Sequence, residues 1–406
     1  MGMAMKRPIR VLAVDDSAVM RGILRTLFLM HEEKPWHDLP RMELCGMVED
    51  GVECLAAVLR LRPDVVVLDL EMPRMHGLDV LERLHHEEPA LPVIMCSSYT
   101  EGGARTTLDA LALGAADYVM KPAQQSDFKT AMETLAGQLL PKIAALDAAG
   151  HMPRQTGEAR PGKGPLRDPR GSGAVEPAVE IVVIGVSTGG PSALEAVLPK
   201  LAEDFAVPVM IVQHMPKLFT GALAKRLDRC CALRVREAHD GAELRAGTIW
   251  LAPGDAHMEI AEQGSGVAGA SRRVVRLHQQ RSLNHCKPSV DYLFTSAATT
   301  YGAGTLALVM TGMGADGLTG ARRVHEAGGV VLAQDAATSA VWGMPGRVFQ
   351  AGISRPPLAL SKLADELTRR VNAGRSRPRS ARTMAAAQWS GTSATAGQYE
   401  VMHELL

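Results

Sequence analysis

The sequence has few aromatic residues and no excess of charge of either sign. Phe, Trp and Tyr make up 4% of the 406 residues, so the cores must be built from aliphatic side chains. A surface that binds by stacking many bases is therefore not expected. The 44 Lys and Arg residues balance the 44 Asp and Glu residues, and bulk charge does not favour binding to nucleic acid. We expect no nucleic-acid partner.

Paired cysteine motifs and long apolar runs are also missing. The spacing of the six cysteines matches no disulfide framework and no paired CxxC zinc site. The first ten residues are not followed by the apolar segment of a secretory signal. No uninterrupted apolar stretch approaches the roughly 18 residues needed to span a bilayer. We expect a cytoplasmic protein with no membrane insertion.

Length and composition predict separate domains. A chain of 406 residues suggests two or three domains, and 46% hydrophobic with 22% charged residues excludes wholesale disorder. Residues 148–178 contain six Gly and five Pro among 31 positions. We predict a flexible linker there, with a reach of roughly 30 Å as a coil. The predicted domains span residues 8–140 and 179–370, and a disordered tail is expected over 374–406.

Both predicted domains alternate short apolar runs with helical patterns. This alternation is typical of parallel α/β sheets. We predict a doubly wound, flavodoxin-like first domain and a Rossmann-like parallel sheet in the second. The predicted strands of the first domain are Ile9–Val14, Val65–Leu68, Pro92–Cys96 and Asp117–Met120. Those of the second are Glu180–Gly185, Val207–Gln213, Thr248–Ala252, Thr305–Thr311 and Val330–Ala333.

Polar side chains follow the strands of the first domain, and the carboxyl ends of parallel strands form one edge of a sheet. Asp15, Asp16 and Asp69 would repel one another there unless a cation lies between them, and Mg²⁺ suits such a set. A hydroxyl from Ser97 and the ammonium of Lys121 would suit a phosphoryl group. An acid at one strand end, such as Asp16, is alternatively a helix cap.

The motifs VDDS, DLEMPRMHGLD, SS and YVMKP resemble those of the receiver domain of two-component response regulators. The resemblance implies that Asp69 accepts a phosphoryl group from a histidine kinase. It implies a Mg²⁺ site formed by Asp15, Asp16, Asp69 and the backbone carbonyl of Glu71. It also implies a phosphorylation switch made of Ser97, Tyr118 and Lys121. The polar connection over residues 31–43 is longer than the resemblance leads us to expect.

In the second domain, residues 185–189 read Gly-Val-Ser-Thr-Gly, a GxSxG motif directly after a predicted strand and before a helix. This context suits a nucleophile elbow with Ser187 at its tip. A glycine-rich turn before a helix could equally bind a phosphate. The dinucleotide pattern GxGxxG and the GK[ST] of a P-loop are absent.

A serine nucleophile needs a base and an orienting acid. His214 and His257 both follow predicted strands and are the candidate bases. Asp316 lies in a glycine-rich loop after a buried strand. Sequence spacing alone leaves several acids open, namely Asp240, Asp255, Asp291, Asp316 and Asp335.

Six blocks in the second half resemble, in order, the motifs of the chemotaxis protein-glutamate methylesterase family. They are IGVSTGGP, QHMPKLFTGALAKRL, APGDAHM, CKPSVDYLF, TGMGADG and AQDAATSAVWGMP. The resemblance implies that Ser187 is the nucleophile, His214 the general base and Asp316 its orienting carboxylate. Thr188 and Met313 would support the site and its oxyanion. The esterase step would need no cofactor, so Mg²⁺ would serve only the receiver.

The two resemblances together imply a phosphorylation-activated serine hydrolase that demethylates glutamate methyl esters and deamidates glutamines on chemoreceptors, giving sensory adaptation in chemotaxis. The linker suggests that an unphosphorylated receiver covers Ser187. Three alternatives stay open. They are a receiver whose second domain only binds, a transcriptional regulator without a recognisable helix-turn-helix, and a nucleotide-binding enzyme that uses the glycine-rich turn.

Overall fold

The computed structural model describes residues 7–122, 127–150, 177–264 and 271–373. These residues form two parallel sheets with helices on their faces, together with one antiparallel hairpin. The arrangement confirms the predicted α/β class for both domains. Of the helices in these ranges, none combines the length and the apolar character that a bilayer span requires.

The first domain has the sheet order β2-β1-β3-β4-β5, with every neighbouring pair parallel. The order reverses direction between β1 and β3, which is the doubly wound pattern. Its strands are β1 (Ile9–Val14), β2 (Met42–Val48), β3 (Val65–Asp69), β4 (Val93–Ser97) and β5 (Asp117–Met120). Its helices are α1 (Ala18–Glu33), α2 (Gly51–Leu61), α3 (Gly77–Glu87), α4 (Glu101–Ala112) and α5 (Phe128–Gly150).

The second domain has the parallel sheet order β13-β12-β6-β7-β9-β8. Its strands are β6 (Ile181–Val186), β7 (Val209–Gln213), β8 (Arg234–Glu237), β9 (Thr248–Leu251), β12 (Thr305–Val309) and β13 (Val330–Ala333). The hairpin pairs β10 (His257–Gly264) with β11 (Ser271–His278). The helices are α6 (Gly190–Val197), α7 (Lys217–Cys230), α8 (Val290–Tyr301), α9 (Leu318–Glu326), α10 (Met344–Gln350) and α11 (Leu360–Ala373).

The central strands are buried along their whole length. All five residues of β3 and all six of β6 are inaccessible to solvent or nearly so. Helices therefore cover both faces of each sheet, and this is why these strands read as continuous apolar runs in the sequence. The rigid strands fix the positions of the polar residues that follow them.

The nine predicted strands are all present, but the structure adds strands that the sequence pattern did not reveal. β2 and β8 are edge strands, and the exposed β8 segment carries Arg234, Arg236 and Glu237. Part of the predicted loop at 31–43 belongs to α1 and β2. Helix α5 reaches Gly150, so residues 148–150, assigned above to the linker, are helical. Residues 151–176 of the predicted linker and the predicted tail at 374–406 lie outside the described residues.

The two domains pack through helix α4 of the first and helices α6 and α7 of the second. The Tyr118 ring stacks on Phe219 of α7, with centroids 4.7 Å apart and ring planes 12° from parallel. Ser192 Oγ of α6 donates a hydrogen bond to the Leu111 carbonyl at 2.7 Å. Arg226 of α7 forms ion pairs with Asp109 of α4 and Glu195 of α6. One continuous apolar cluster therefore joins the two domains.

Candidate active site

Polar side chains gather at the carboxyl ends of both sheets, where the strand order reverses. Ligand and catalytic sites of open α/β sheets lie at such switch points. In the first domain the neighbours are β1 and β3, and in the second they are β12, β6 and β7. The described residues thus form two separate polar sites, one at each sheet.

The first site is an acidic cluster. Asp15, Asp16 and Asp69 each place a carboxylate oxygen within 4.8 Å of the other two. Asp15 and Asp69 are buried, and Lys121 Nζ lies 2.9 Å from Asp15 Oδ2 and 2.7 Å from Asp69 Oδ2. Burial and the neighbouring Asp15 carboxylate raise the pKa of Asp69 to about 6, although Lys121 opposes the shift. One ammonium does not balance three carboxylates, so this oxygen-rich set fits a hard divalent cation such as Mg²⁺.

The other predicted residues of this site lie around it. Glu71 follows in the turn after β3, and its N–H donates to Asp69 Oδ1 at 3.4 Å. Ser97, at the end of β4, is fully buried and turned toward helix α4, where Thr107 Oγ1 donates to its hydroxyl at 2.7 Å. Tyr118 is buried in the contact with the second domain. Both residues therefore contact elements of the interdomain surface, since Ser97 reaches helix α4 and Tyr118 reaches helix α7.

In the second site, Ser187 stands in a sharp turn between β6 and α6. Its N–H donates to the Thr311 carbonyl at 3.0 Å, and its carbonyl accepts from Gly190 N–H at 2.8 Å. Gly189 has φ 74°, and a Cβ there would lie 2.6 Å from Ala340 Cβ. A side chain at that position would be both strained and obstructed. The strand–turn–helix context required of a nucleophile elbow is therefore present.

His214 and Asp316 are in direct contact. His214 follows β7, the neighbour of β6, and its backbone N–H donates to the Val186 carbonyl at 3.2 Å. Its Nε2 lies 2.8 Å from Asp316 Oδ2. Burial alone would lower the pKa of His214, but the hydrogen bond to Asp316 and the contact with Cys286 outweigh it and raise that pKa to about 9. The pair has the geometry of a base held by an acid.

Asp316 is held by the start of helix α8. Its carboxylate accepts hydrogen bonds from Ser289 Oγ and Val290 N–H, both at 2.7 Å, and from Asn284 Nδ2 at 3.2 Å. Burial works to raise the pKa of Asp316, but His214 and these donors lower it below its usual value. A helix N-terminus favours negative charge in this way. Asp316 is consequently an ionised, oriented hydrogen-bond acceptor.

The free nitrogen of His214 faces Cys286, the first residue of the CKPSVDYLF block, to which the sequence assigned no chemistry. Its Nδ1 lies 3.6 Å from Cys286 Sγ. In the described part of the chain, no hydrogen bond joins Ser187 Oγ to His214. The register nevertheless puts the two residues side by side, because Val186 pairs with Gln213. Catalytic hydrogen bonds are often long before substrate binds.

Two backbone donors next to Ser187 are unused. Within the described ranges, the N–H groups of Thr188 and Met313 make no hydrogen bond. The loop that carries Met313 passes against Ser187, since a Cβ on Gly312 would lie 2.8 Å from Ser187 Cβ. Free N–H groups beside a serine are the donors that stabilise an oxyanion.

The remaining candidates fall outside the contact set. Asp240 Oδ1 accepts from Leu277 N–H in the hairpin, and Asp335 Oδ1 accepts from Thr338 N–H. Asp255 stands in a turn with φ 64°. Asp291 lies closer to the His214–Asp316 pair, because Asn284 Nδ2 donates to both Asp291 and Asp316. His257 Nδ1 accepts from Ser289 N–H at 3.2 Å, so His257 is linked to Asp316 through Ser289.

Sequence reasoning missed several residues that shape the site. Gln213 Nε2 donates to the carbonyls of Ser187 at 3.0 Å and His214 at 3.3 Å, and it ties the two strand ends together. Ser289 and Asn284 reach Asp316 from 27 and 32 positions away. Gln213 stands at the end of a buried strand, and Gln213 and Ser289 lie within the blocks QHMPKLFTGALAKRL and CKPSVDYLF, but these patterns do not indicate the contacts.

Known proteins resemble this chain in both domains. The family described as CheB methylesterase matches residues 182–367, and the response regulator receiver domain matches residues 11–133. A protein-glutamate methylesterase/protein-glutamine glutaminase of Trichodesmium erythraeum (strain IMS101) is 40% identical over 369 residues, which cover 89% of this chain and 99% of that protein. The chain belongs to the CheB methylesterase family.

Other relatives match most of the chain or its second domain alone. A protein of the same description from Nocardioides sp. (strain ATCC BAA-499 / JS614) is 42% identical over 91% of this chain and 97% of its own length. The crystal structure of the Thermotoga maritima CheB methylesterase catalytic domain is 39% identical, with a TM-score of 0.45, and covers 47% of this chain and 98% of that one. The two family matches fall one on each of the two sheets.

Proposed function

We propose that this protein is a phosphorylation-regulated serine hydrolase that removes methyl esters from glutamate side chains of chemoreceptors and deamidates glutamines there. The observation that carries the proposal is the contact of His214 with a buried Asp316 beside Ser187 in a strand–turn–helix elbow. The names of the relatives supply the substrate class. The intact constellation argues against a second domain that only binds.

The chemistry uses the chain's own groups. Ser187 Oγ attacks the ester carbonyl carbon while His214 Nδ1 accepts the hydroxyl proton, and Asp316 holds Nε2–H throughout. The N–H groups of Thr188 and Met313 stabilise the oxyanion. His214 then protonates the leaving methoxide oxygen, or the amide nitrogen when glutamine is the substrate, and methanol or ammonia departs. Water hydrolyses the acyl-enzyme by the reverse sequence, which regenerates Ser187 and leaves a glutamate carboxylate.

The first domain supplies the regulatory input. Asp69 is the phosphoacceptor, and a chemotaxis histidine kinase is the physiological donor. Asp15, Asp16, Asp69 and the Glu71 carbonyl would hold Mg²⁺, which neutralises charge on the phosphoryl group during its transfer. Lys121 pairs with the acidic cluster before phosphorylation and with the phosphoryl group after it. No esterase step involves this metal.

The docked arrangement provides the regulation. In the second domain, α4 packs against helices α6 and α7, which start just beyond Ser187 and His214. Val341 and Met313 also pack into an apolar cluster whose other members all belong to the first domain. When Ser97 turns toward a phosphoryl group on Asp69, it gives up its bond to Thr107 of α4. This loosens the docked helix and opens the Ser187 cleft.

The direct test measures methanol release from membranes that carry methylated chemoreceptors. The wild-type protein is compared with Ser187→Ala, and we expect the variant to lose about 10⁴- to 10⁶-fold in rate. A small-molecule phosphodonor with Mg²⁺ should still phosphorylate the variant on Asp69. If Ser187→Ala releases methanol at the wild-type rate, the hydrolase proposal is wrong.

A further inference from the structure

Cys286 has no role in the proposed hydrolysis, yet its sulfur lies against the nitrogen that the base would use. Sγ is 3.6 Å from His214 Nδ1 and 3.4 Å from the Asn284 carbonyl. The opposite nitrogen, Nε2, is occupied by Asp316. The thiol therefore stands where a second protein ligand would lie if a metal ion were bound to His214 Nδ1.

The spacing of these two atoms matches a particular metal geometry. Zn–N and Zn–S bonds of about 2.05 and 2.3 Å at a tetrahedral angle place the two ligand atoms about 3.6 Å apart. The observed Nδ1–Sγ distance is 3.6 Å. We propose that His214 Nδ1 and Cys286 Sγ form a binding site for a thiophilic divalent cation of the Zn²⁺ class, and that the bound ion inhibits the esterase.

The surroundings complete such a site. Asp316 lies nearby on the Nε2 side of the ring, and His214, Cys286 and Asp316 each offer a ligand atom within 4.8 Å of the other two. With Asp316 on Nε2–H, His214 has the carboxylate–histidine arrangement that orients zinc-bound imidazoles. Water fills the other two tetrahedral positions, and the thiol proton passes to solvent on binding. The sulfur ligand selects Zn²⁺ over Mg²⁺, which prefers oxygen.

An ion can reach the site from solvent, since residues 281–285 next to Cys286 are exposed. Binding uses the Nδ1 lone pair, so His214 cannot take the proton of Ser187. This inhibition rests on the proposed function, whereas the metal site depends only on the two ligands. The two parts are therefore tested by different measurements.

Co²⁺ in place of Zn²⁺ reports thiolate ligation by a charge-transfer absorption band, independently of activity. The adjacent thiols Cys230 and Cys231 are partly accessible and would also bind Co²⁺. The full-length Cys230→Ser/Cys231→Ser protein is therefore the parent, and excess Mg²⁺ occupies the acidic cluster. We expect the band in the parent and its loss when Cys286→Ser is added. An equal band in both proteins would overturn the site.

The second measurement follows esterase rate against Zn²⁺ concentration, with each protein scaled to its own rate in chelator. Loss of an outer-shell partner already weakens metal sites about 10- to 100-fold, so loss of a ligand should do at least as much. We expect Cys286→Ser to need at least about tenfold more Zn²⁺ for half-inhibition. Equal sensitivity of parent and variant would contradict the proposal, as would a Cys286-dependent Co²⁺ band without any Zn²⁺ inhibition.

Discussion

Asp69 and Asp316 are both buried carboxylates at the switch point of a parallel sheet, yet their surroundings shift their pKa values in opposite directions. Asp69 faces two other acids and one lysine, and its pKa rises to about 6. Asp316 receives hydrogen bonds from Ser289, Val290 and His214, and its pKa falls. Burial acts alike on both carboxylates, so the neighbours decide the outcome. One sheet edge is suited to cations and phosphoryl groups, and the other to orienting a base.

Neutralising Asp316, the orienting acid, should have the largest effect on the rate of methanol release. Asp316→Asn keeps the shape of the side chain but removes the charge that stabilises protonated His214. Loss of this kind in a catalytic triad lowers kcat by about 10⁴-fold, and we expect a similar loss of methanol release. Asp240→Asn is the matched control, because Asp240 lies in the hairpin away from His214. An Asp316→Asn protein with the rate of the Asp240→Asn protein would contradict the triad.

Removing Asp69 from the acidic cluster should leave the esterase chemistry intact and abolish its control by phosphorylation. Coupling between two sites in a protein is typically about 5- to 150-fold, and we expect phosphodonor with Mg²⁺ to stimulate the wild type within this range. Asp69→Ala should show its basal rate with and without phosphodonor. Chelation of Mg²⁺ should remove stimulation from the wild type in the same way. Stimulation that survives in Asp69→Ala would show that the acidic cluster is not the input site.

The donors around Asp316 can be tested singly. Ser289→Ala removes the hydroxyl that donates to Asp316 Oδ1. A hydrogen bond to a charged group contributes about 1.5–3 kcal/mol, so kcat should fall by about 10- to 150-fold with KM little changed. Ser296→Ala on the same helix is the control, since Ser296 Oγ accepts from Ile260 N–H instead. Equal kcat values for the two variants would show that the hydrogen bond from Ser289 to Asp316 does not contribute to catalysis.

The smallest effect is expected at the rim of the docking surface. Asp109→Ala deletes one ion pair between α4 and α7. Exposed pairs contribute about 0.2–1 kcal/mol, so the unphosphorylated rate should rise by about 1.4- to 5-fold. Glu88→Ala breaks the Arg62 pair within the first domain and should leave the rate unchanged. A decrease in rate for Asp109→Ala would mean that docking promotes the activity.

Much of the fold could be predicted because the decisive strands are buried on both faces. Continuous apolar runs such as Val65–Asp69 and Ile181–Val186 are visible in the sequence, and so are the polar residues that follow them. The edge strand Arg234–Glu237 gave no such signal, since two of its four side chains are exposed charges. The two strands of the hairpin that contains His257 mix apolar and charged residues, and they were also not predicted.

The site was predictable only where a residue follows its own strand. Ser187, His214 and Asp316 each come after a buried strand, and family motifs point to them. Ser289, at the start of helix α8, reaches Asp316 in the loop after β12, and Cys286, in the segment before α8, reaches His214 after β7. No local pattern encodes these contacts. Interdomain contacts such as Tyr118 with Phe219 likewise depend on how two finished domains meet.

We infer that α4 of the receiver holds the helices next to the catalytic residues until Asp69 is phosphorylated. Hydrogen exchange of the Lys217–Cys230 helix, measured on the full-length protein with and without phosphodonor and Mg²⁺, tests it most directly. We predict faster exchange in this helix and in Glu101–Ala112 after phosphorylation of the wild type, and no change in Asp69→Ala. Unchanged exchange in both helices of a phosphorylated protein whose esterase rate has risen would contradict the account.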